Sequence, residues 1–230
     1  MTCAHAARPV VGLIVPPEAD TVPPEAAILF PDGVVFAARG LGIAEMSPTG
    51  FDAGLERIDA AARALLDRGA EAISIMGTSL TFYDDAAGNE RALDRLRRAC
   101  PGIPVTTMST SIVASLRELD ARRVSVVGAY TSDMGRRLDR FLMQSGFEVA
   151  SRVDLGVSAI ADLGRVTDAD LRAAAERALD RAGDAAPDAL LISCGGLRTI
   201  DAGARIADEL GLPVVSSAVD GIRHAVRLLE

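Results

Sequence analysis

Short β-branched runs recur along this chain, each ending in a loop of small or polar residues and followed by an amphipathic segment, and the whole pattern occurs twice. In the first half such runs begin near Val10, Ala72 and Ile103; in the second they begin near Arg123, Ala189 and Leu212. The stretch Ile73-Ser74-Ile75-Met76-Gly77-Thr78-Ser79 matches Leu190-Leu191-Ile192-Ser193-Cys194-Gly195-Gly196. Continuous apolar runs, as opposed to alternating ones, suit strands buried on both faces, and a parallel sheet needs such strands. A β-α duplication of this kind predicts an α/β protein of two pseudo-symmetric lobes, each a mostly parallel sheet flanked by helices. Ligands of such sheets bind beyond the carboxyl ends of the strands. Gly77 and Cys194 hold equivalent strand ends, so a cleft between the lobes brings them face to face. The expected division is residues 1–120 with 216–230 for one lobe and 121–215 for the other, with the active site between them.

The periodicity predicts strands at 10–15, 72–76, 103–108, 123–130, 147–153, 189–193 and 213–217. It predicts helices at 50–68, 86–100, 111–119, 131–145, 168–182, 199–210 and 220–229. Thr167 followed by Asp170 is a capping-box-like start, and Gly146 is placed to end a helix. Residues 18–49 are rich in Pro and Gly and read as irregular, with a short strand near 34–37. Long loops inside compact domains are usually functional or mobile.

Several chemistries lack their material. The chain has no lysine, so all 24 basic residues are Arg. That excludes a Schiff-base lysine, a pyridoxal phosphate site, a biotinyl lysine and a phosphate-loop lysine. His5 and His224 are the only histidines, too few for a multi-histidine metal site, and they leave little for a Ser-His-Asp triad. Cys3, Cys100 and Cys194 lie far apart with no C-x-x-C, which fits neither a zinc cluster nor a disulfide framework and suits a reducing cytoplasm. No metal and no cofactor are expected. A net charge of −8, 3 % aromatics and no Trp argue against a nucleic-acid partner. The apolar run at 9–17 is broken by Gly12, is too short to span a membrane and lacks a basic flank and a cleavage site. The expected partner is a small molecule, and the chain is expected to be a monomer or homodimer.

Cys194 is the leading candidate for chemistry. It ends a buried strand and precedes two glycines and then a helix, an environment that lets backbone amides approach an anion and tunes a thiol as acid or base. The plain alternative is a small buried cysteine at a strand end. Gly77-Thr78-Ser79 repeats the strand-to-loop logic with two hydroxyls, which equally suit a helix cap. Tyr130 ends a strand and either reaches the cleft or packs. The cluster Thr106, Thr107, Ser109, Thr110 and Ser111 reads as capping. Gly40-Leu41-Gly42 lacks the third glycine of a dinucleotide fingerprint, since Glu45 stands there, and reads as a turn. Arg95, Arg97 and Arg98, interleaved with acids, read as a solvated helix face, and His224 as structural or exposed.

Taken in order, Val15-Pro16-Pro17, Met76-Gly77-Thr78-Ser79-Leu80, Phe82-Tyr83, Thr106-Thr107-Met108-Ser109-Thr110 and Ser193-Cys194-Gly195-Gly196-Leu197 resemble the arylmalonate decarboxylase family of the aspartate/glutamate racemase superfamily. The resemblance runs from about Val10 to Leu228. Racemases and maleate isomerases of that superfamily carry two facing cysteines, whereas Gly77 stands at one of the two positions here, as in the decarboxylase. The resemblance implies cofactor-independent loss of CO2 from a 2-aryl or 2-alkenyl malonate, with Cys194 protonating the resulting enediolate. It also implies that Thr78, Ser79, Tyr130 and Gly195 form an oxyanion hole. Pro16, Ile43, Met46, Gly77, Ile160, Leu163 and Gly196 would line the pocket, with Phe51 where the family has Tyr. The rival readings are a maleate cis-trans isomerase, an amino-acid or hydantoin racemase, and a non-catalytic carboxylate-binding module. Gly77 also carries a second expectation, that its backbone uses the positive φ that glycine tolerates.

Overall fold

A computed structural model describes residues 8–230. Cys3 and His5 lie outside the described residues. The first half runs β1 (Val10–Val15), α1 (Pro24–Leu29), β2 (Val35–Gly40), α2 (Pro48–Leu55), α3 (Ile58–Leu66), β3 (Ala70–Ile75), α4 (Thr78–Phe82), α5 (Asp85–Ala99), β4 (Val105–Thr107) and α6 (Met108–Glu118). The second runs β5 (Arg123–Gly128), α7 (Ser132–Gln144), β6 (Glu148–Asp154), a 3-10 turn (Ile160–Arg165), α8 (Asp168–Ala182), β7 (Ala189–Ser193), α9 (Ile200–Leu210), β8 (Val214–Ser216) and α10 (Ser217–Arg227). They build two four-stranded sheets, ordered β2-β1-β3-β4 and β6-β5-β7-β8, with every neighbouring pair parallel. The sequence repeat is therefore a repeat of topology, and β3 and β7 hold the same place in their sheets. The central strands are the most apolar because helices cover both faces: Val11, Leu13 and Ile14 of β1 and all of β7 are buried.

Helix α10 returns to the first sheet. Its Ile222 and Ala225 share one apolar cluster with Val11, Leu13, Val15 and Met76. It also lies along α6, where Arg227 pairs with Glu118 at 2.7 Å and Ser115 Oγ donates to Asp220 at 3.1 Å. His224 is half-buried in the same seam, its Nε2 3.0 Å from Ser115 Oγ, so its role there is structural.

Several local expectations need correction. The fourth strand of each sheet is shorter than its apolar run, and Met108 and Ser217 are already helical. The last strand residue caps the helix that follows: Thr107 Oγ1 accepts from the Thr110 N–H at 3.0 Å, and Ser216 Oγ from the Val219 N–H at 3.5 Å. The helix expected over 50–68 is two helices. Gly54 packs under Ile43, which occupies the space a Cβ there would need, while α3 turns Ile58, Ala61, Ala62 and Leu65 inward. At the break, Arg57 Nη1 donates to the Leu41 carbonyl at 2.6 Å. Residues 18–49 contain α1 as well as β2. Pro24 opens that helix, where a missing N–H costs nothing. Arg95 is only partly solvated: its Nε donates to Asp59 at 2.9 Å and ties α5 to α3, whereas Arg97 and Arg98 are exposed. The capping box of α8 is present in full, with Asp170 N–H to Thr167 Oγ1 at 3.2 Å and Thr167 N–H to Asp170 Oδ2 at 2.9 Å. Gly146 follows α7 with φ +96°.

Candidate active site

The carboxyl ends of β1, β3 and β7 open onto one cavity of about 300 Å³. After β1 come Pro16 and Pro17, fixed in φ and without N–H groups. After β3 come Met76 and Gly77, then Thr78 and Ser79 as the first residues of α4. After β7 come Cys194, Gly195 and Gly196. The two equivalent strand ends thus face a common space.

The apolar wall comes from both halves. The loop after β2 and the loop after β6 meet through an antiparallel bridge between Glu45 and Ala159. Met46 N–H donates to the Ser158 carbonyl at 2.8 Å, and Ile160 N–H to the Ala44 carbonyl at 3.0 Å. This bridge sets Met46 beside Ile160 and Leu163 on the lining. Phe51 of α2 closes that side.

Cys194 is buried, and burial pushes its thiol up to about 11. The Gly196 N–H and the Tyr130 hydroxyl act in the opposite sense, because both stabilise a thiolate. At neutral pH the sulfur carries its proton. Tyr130 is fully buried, edge-on to Phe82 with ring centroids 5.4 Å apart. Its hydroxyl lies 3.2 Å from Ser193 Oγ and also hydrogen-bonds toward Thr78 and Cys194. Desolvation holds its phenol well above the ordinary range.

Of the residues proposed from the sequence, Pro16, Met46, Gly77, Thr78 and Ser79 share the lining with Ile160, Leu163, Cys194, Gly195 and Gly196. Tyr130 and Ile43 do not. Tyr130 sits behind Cys194, and Ile43 is buried against α2, with its N–H on the Pro16 carbonyl at 2.8 Å. Gly77 has φ −138°, an extended backbone open to any residue, so the expectation of a left-handed turn is wrong. Space is the constraint: a Cβ there would lie 2.9 Å from Pro16 Cγ and 3.1 Å from Leu80 Cβ. At Gly195 a Cβ would lie 2.6 Å from Met108 Sδ.

The start of α4 is buttressed from below. Thr81 Oγ1 donates to Ser109 Oγ at 2.7 Å, and Ser109 Oγ to the Thr78 carbonyl at 3.0 Å. The hydroxyl cluster after β4 therefore caps and supports, and does not line the cavity. Sequence reasoning missed the stretch Thr21 to Glu25, Gly164 and Arg198 on the lining; Glu25 and Arg198 are the only charged side chains on the wall among the described residues. Only Arg198 carried a signal, as the single charge in the glycine loop after β7; Glu25, at the start of α1, follows Glu18 and Asp20 and nothing in the sequence sets it apart from them. Among the described residues there is no group of three or more metal-ligating side chains, and no helix is long and apolar enough to cross a membrane.

The arylmalonate decarboxylase family model matches residues 11–230. The chain is 43 % identical over 224 residues to the arylmalonate decarboxylase of Bordetella bronchiseptica, covering 97 % of this chain and 92 % of that one. This chain belongs to the arylmalonate decarboxylase family. Its enzymatic class is that of the carboxy-lyases. A liganded, doubly substituted arylmalonate decarboxylase superposes with a TM-score of 0.91 at 41 % identity, over 96 % of this chain and 92 % of that one. A maleate cis-trans isomerase of Nocardia farcinica, carrying a covalent succinylcysteine intermediate, superposes at 0.86 with 22 % identity over 96 % and 92 % of the two chains. That second likeness shows the fold alone, the aspartate/glutamate racemase-like pair of parallel sheets.

Proposed function

We propose that the chain decarboxylates 2-aryl or 2-alkenyl malonates without a cofactor and delivers a single enantiomer of the monoacid. The observation that carries this reading is one protonated thiol, Cys194, on a cavity whose equivalent opposite position is Gly77. The proposed lobes are residues 1–120 with 216–230, and 121–215. A reducing cytoplasm suits the free Cys100 and Cys194.

Loss of CO2 leaves its bonding electrons on the central carbon and the remaining carboxylate, as an enediolate. In this reading Thr78, Ser79 and the Gly195 N–H, all from lining residues, hold those oxygens, and one such preorganised donor is worth about 3–4 kcal/mol. The departing carboxylate lies against Met46, Ile160 and Leu163, where it exchanges a water shell for apolar side chains and so is raised in energy relative to neutral CO2. Cys194 then gives its proton to the carbon. The thiolate left behind rests on the Gly196 N–H and the Tyr130 hydroxyl until water reprotonates it. In this reading Tyr130 reaches the reaction through the sulfur. Two-thiol racemisation or isomerisation is disfavoured, because residue 77 has no side chain to serve as the second acid-base group.

The test is 2-methyl-2-phenylmalonate with purified protein dialysed against a chelator. The expected result is one CO2 per 2-phenylpropanoate, with one enantiomer in large excess. No CO2 release, or a racemic product, overturns the reading.

A further inference from the structure

The cavity has a polar feature that the decarboxylation just described does not use. Its floor, at Cys194, Thr78 and Ser79, is nearly sealed, and its mouth carries the exposed Arg198. The wall between is apolar except at Glu25 of α1 and at the hydroxyl of Thr21. Glu25 is 5 % exposed, yet among the described residues no other residue donates a hydrogen bond to its carboxylate, whose oxygens are not among the atoms sealed from solvent. Burial pushes this carboxyl up, while its own N–H and the Arg198 charge pull it down. Arg198 has no ion pair or hydrogen bond among the described residues. An acceptor and a donor thus face one space without touching each other.

A buried polar group left without a partner is unfavourable, and the group that satisfies both sides must itself donate and accept. An anionic tail would meet repulsion from Glu25, and a cationic one from Arg198. An apolar tail would leave Glu25 unpaired. We propose that Glu25 and Arg198 are specificity residues that select malonates whose 2-substituent ends in a hydroxyl, phenolic in the aryl series, which donates to Glu25 and accepts from Arg198. This rests on the decarboxylase reading, with the reacting carbon at Cys194 and the substituent directed to the mouth. Sites built to bond a substrate hydroxyl discriminate against analogues that lack it, because the site's own polar groups then stay unpaired.

The experiment compares kcat/KM for 2-methyl-2-phenylmalonate and its 3-hydroxy-, 4-hydroxy- and 4-methoxyphenyl analogues, in the wild type, Glu25→Leu and Arg198→Leu. Each hydroxyl-to-hydrogen ratio is divided by the ratio in the variant, which cancels the intrinsic effect of the substituent on enediolate formation. For at least one hydroxyphenyl substrate the wild-type ratio should exceed that of each variant by about tenfold, the worth of one charge-assisted hydrogen bond. The methoxy-to-hydrogen ratio, in which neither substrate can donate, should not change in Glu25→Leu. Calorimetric binding of 3- or 4-hydroxyphenylacetate against phenylacetate gives the same comparison without turnover, and Glu25→Gln, which keeps an acceptor, should restore part of the preference. Ratios unchanged in both variants, with phenylmalonates turned over, overturn the proposal and leave the decarboxylase reading standing. If no malonate releases CO2, that reading falls, and equal monoacid binding by wild type and variants overturns this one too.

Discussion

Cys194 keeps its proton because its sulfur has been taken out of water, and that has consequences for both rate and stability. The thiol's ordinary value is 9.0, and in the fold it is pushed up to about 11. In the unfolded chain the proton leaves near 9; in the folded chain it stays until about 11. Between those limits the unfolded state binds fewer protons, so stability falls as pH rises. The loss attributable to this one residue is roughly 2–3 kcal/mol. Between pH 8 and pH 10.5, urea unfolding should lose about 2 kcal/mol more in the wild type than in Cys194→Ala, the buried tyrosines and Cys100 contributing equally to both; identical pH dependence would show that the thiol is not buried as described. The same variant should fold normally at neutral pH and lose at least about a hundredfold in kcat, the usual worth of a positioned acid. Cys194→Ser should be slow, because an alcohol is a far weaker acid than a thiol. Cys100→Ala should stay near wild type, since Cys100 is buried at the end of α5 and off the cavity.

At the level of elements, local chemistry decides most boundaries. The Thr167–Asp170 capping box satisfies both halves of its reciprocal pair, and it was legible because Thr, Asp and the apolar spacing behind them all point the same way. Thr167→Ala should cost about 1 kcal/mol, read as a lower urea midpoint with an unchanged m-value, and kcat/KM should not move because Thr167 is off the cavity lining. An unchanged midpoint would mean that the cap contributes nothing to the fold. Where the sequence misled, two signals competed. Thr107 and Ser216 are good strand residues by company and good caps by chemistry, and the cap prevailed because the next N–H groups needed a partner. The Pro-rich run before α1 looked irregular, yet proline at a first turn is compatible with helix.

At the scale of the whole molecule, the repeat puts residue 77 and residue 194 at equivalent strand ends on one cavity. A thiol moved from one to the other should reach the opposite face of a planar enediolate. Gly77→Cys combined with Cys194→Ser should therefore invert the enantiomer formed from 2-methyl-2-phenylmalonate, as read by chiral chromatography. The backbone at 77 accepts a side chain, since its φ is −138°. Pro16 must shift to make room, because its Cγ lies 2.9 Å from where the new Cβ would stand. That crowding should lower stability by about 1–3 kcal/mol, so the double variant should melt a few degrees below the wild type while staying folded at 25 °C. Unchanged handedness in the folded variant would mean that residue 77 does not look onto the reacting carbon.

What the sequence determined by itself were the features that act locally or repeat. The apolar runs of β1, β3, β5 and β7 mark strands buried on both faces, their duplicated order fixes two like sheets, and the small residues at 77–79 and 194–196 mark two equivalent strand ends. These depend on periodicity and on residue types that few other conformations favour. Tertiary structure alone decided what those ends face. The bridge between Glu45 and Ala159 that sets Met46 beside Ile160, the withdrawal of Tyr130 behind Cys194, and the placing of Glu25 and Arg198 on one cavity all bring together residues far apart along the chain. No local pattern encodes such pairs. They follow from how two open parallel sheets, packed through one continuous apolar core, leave room for a cavity at their strand ends.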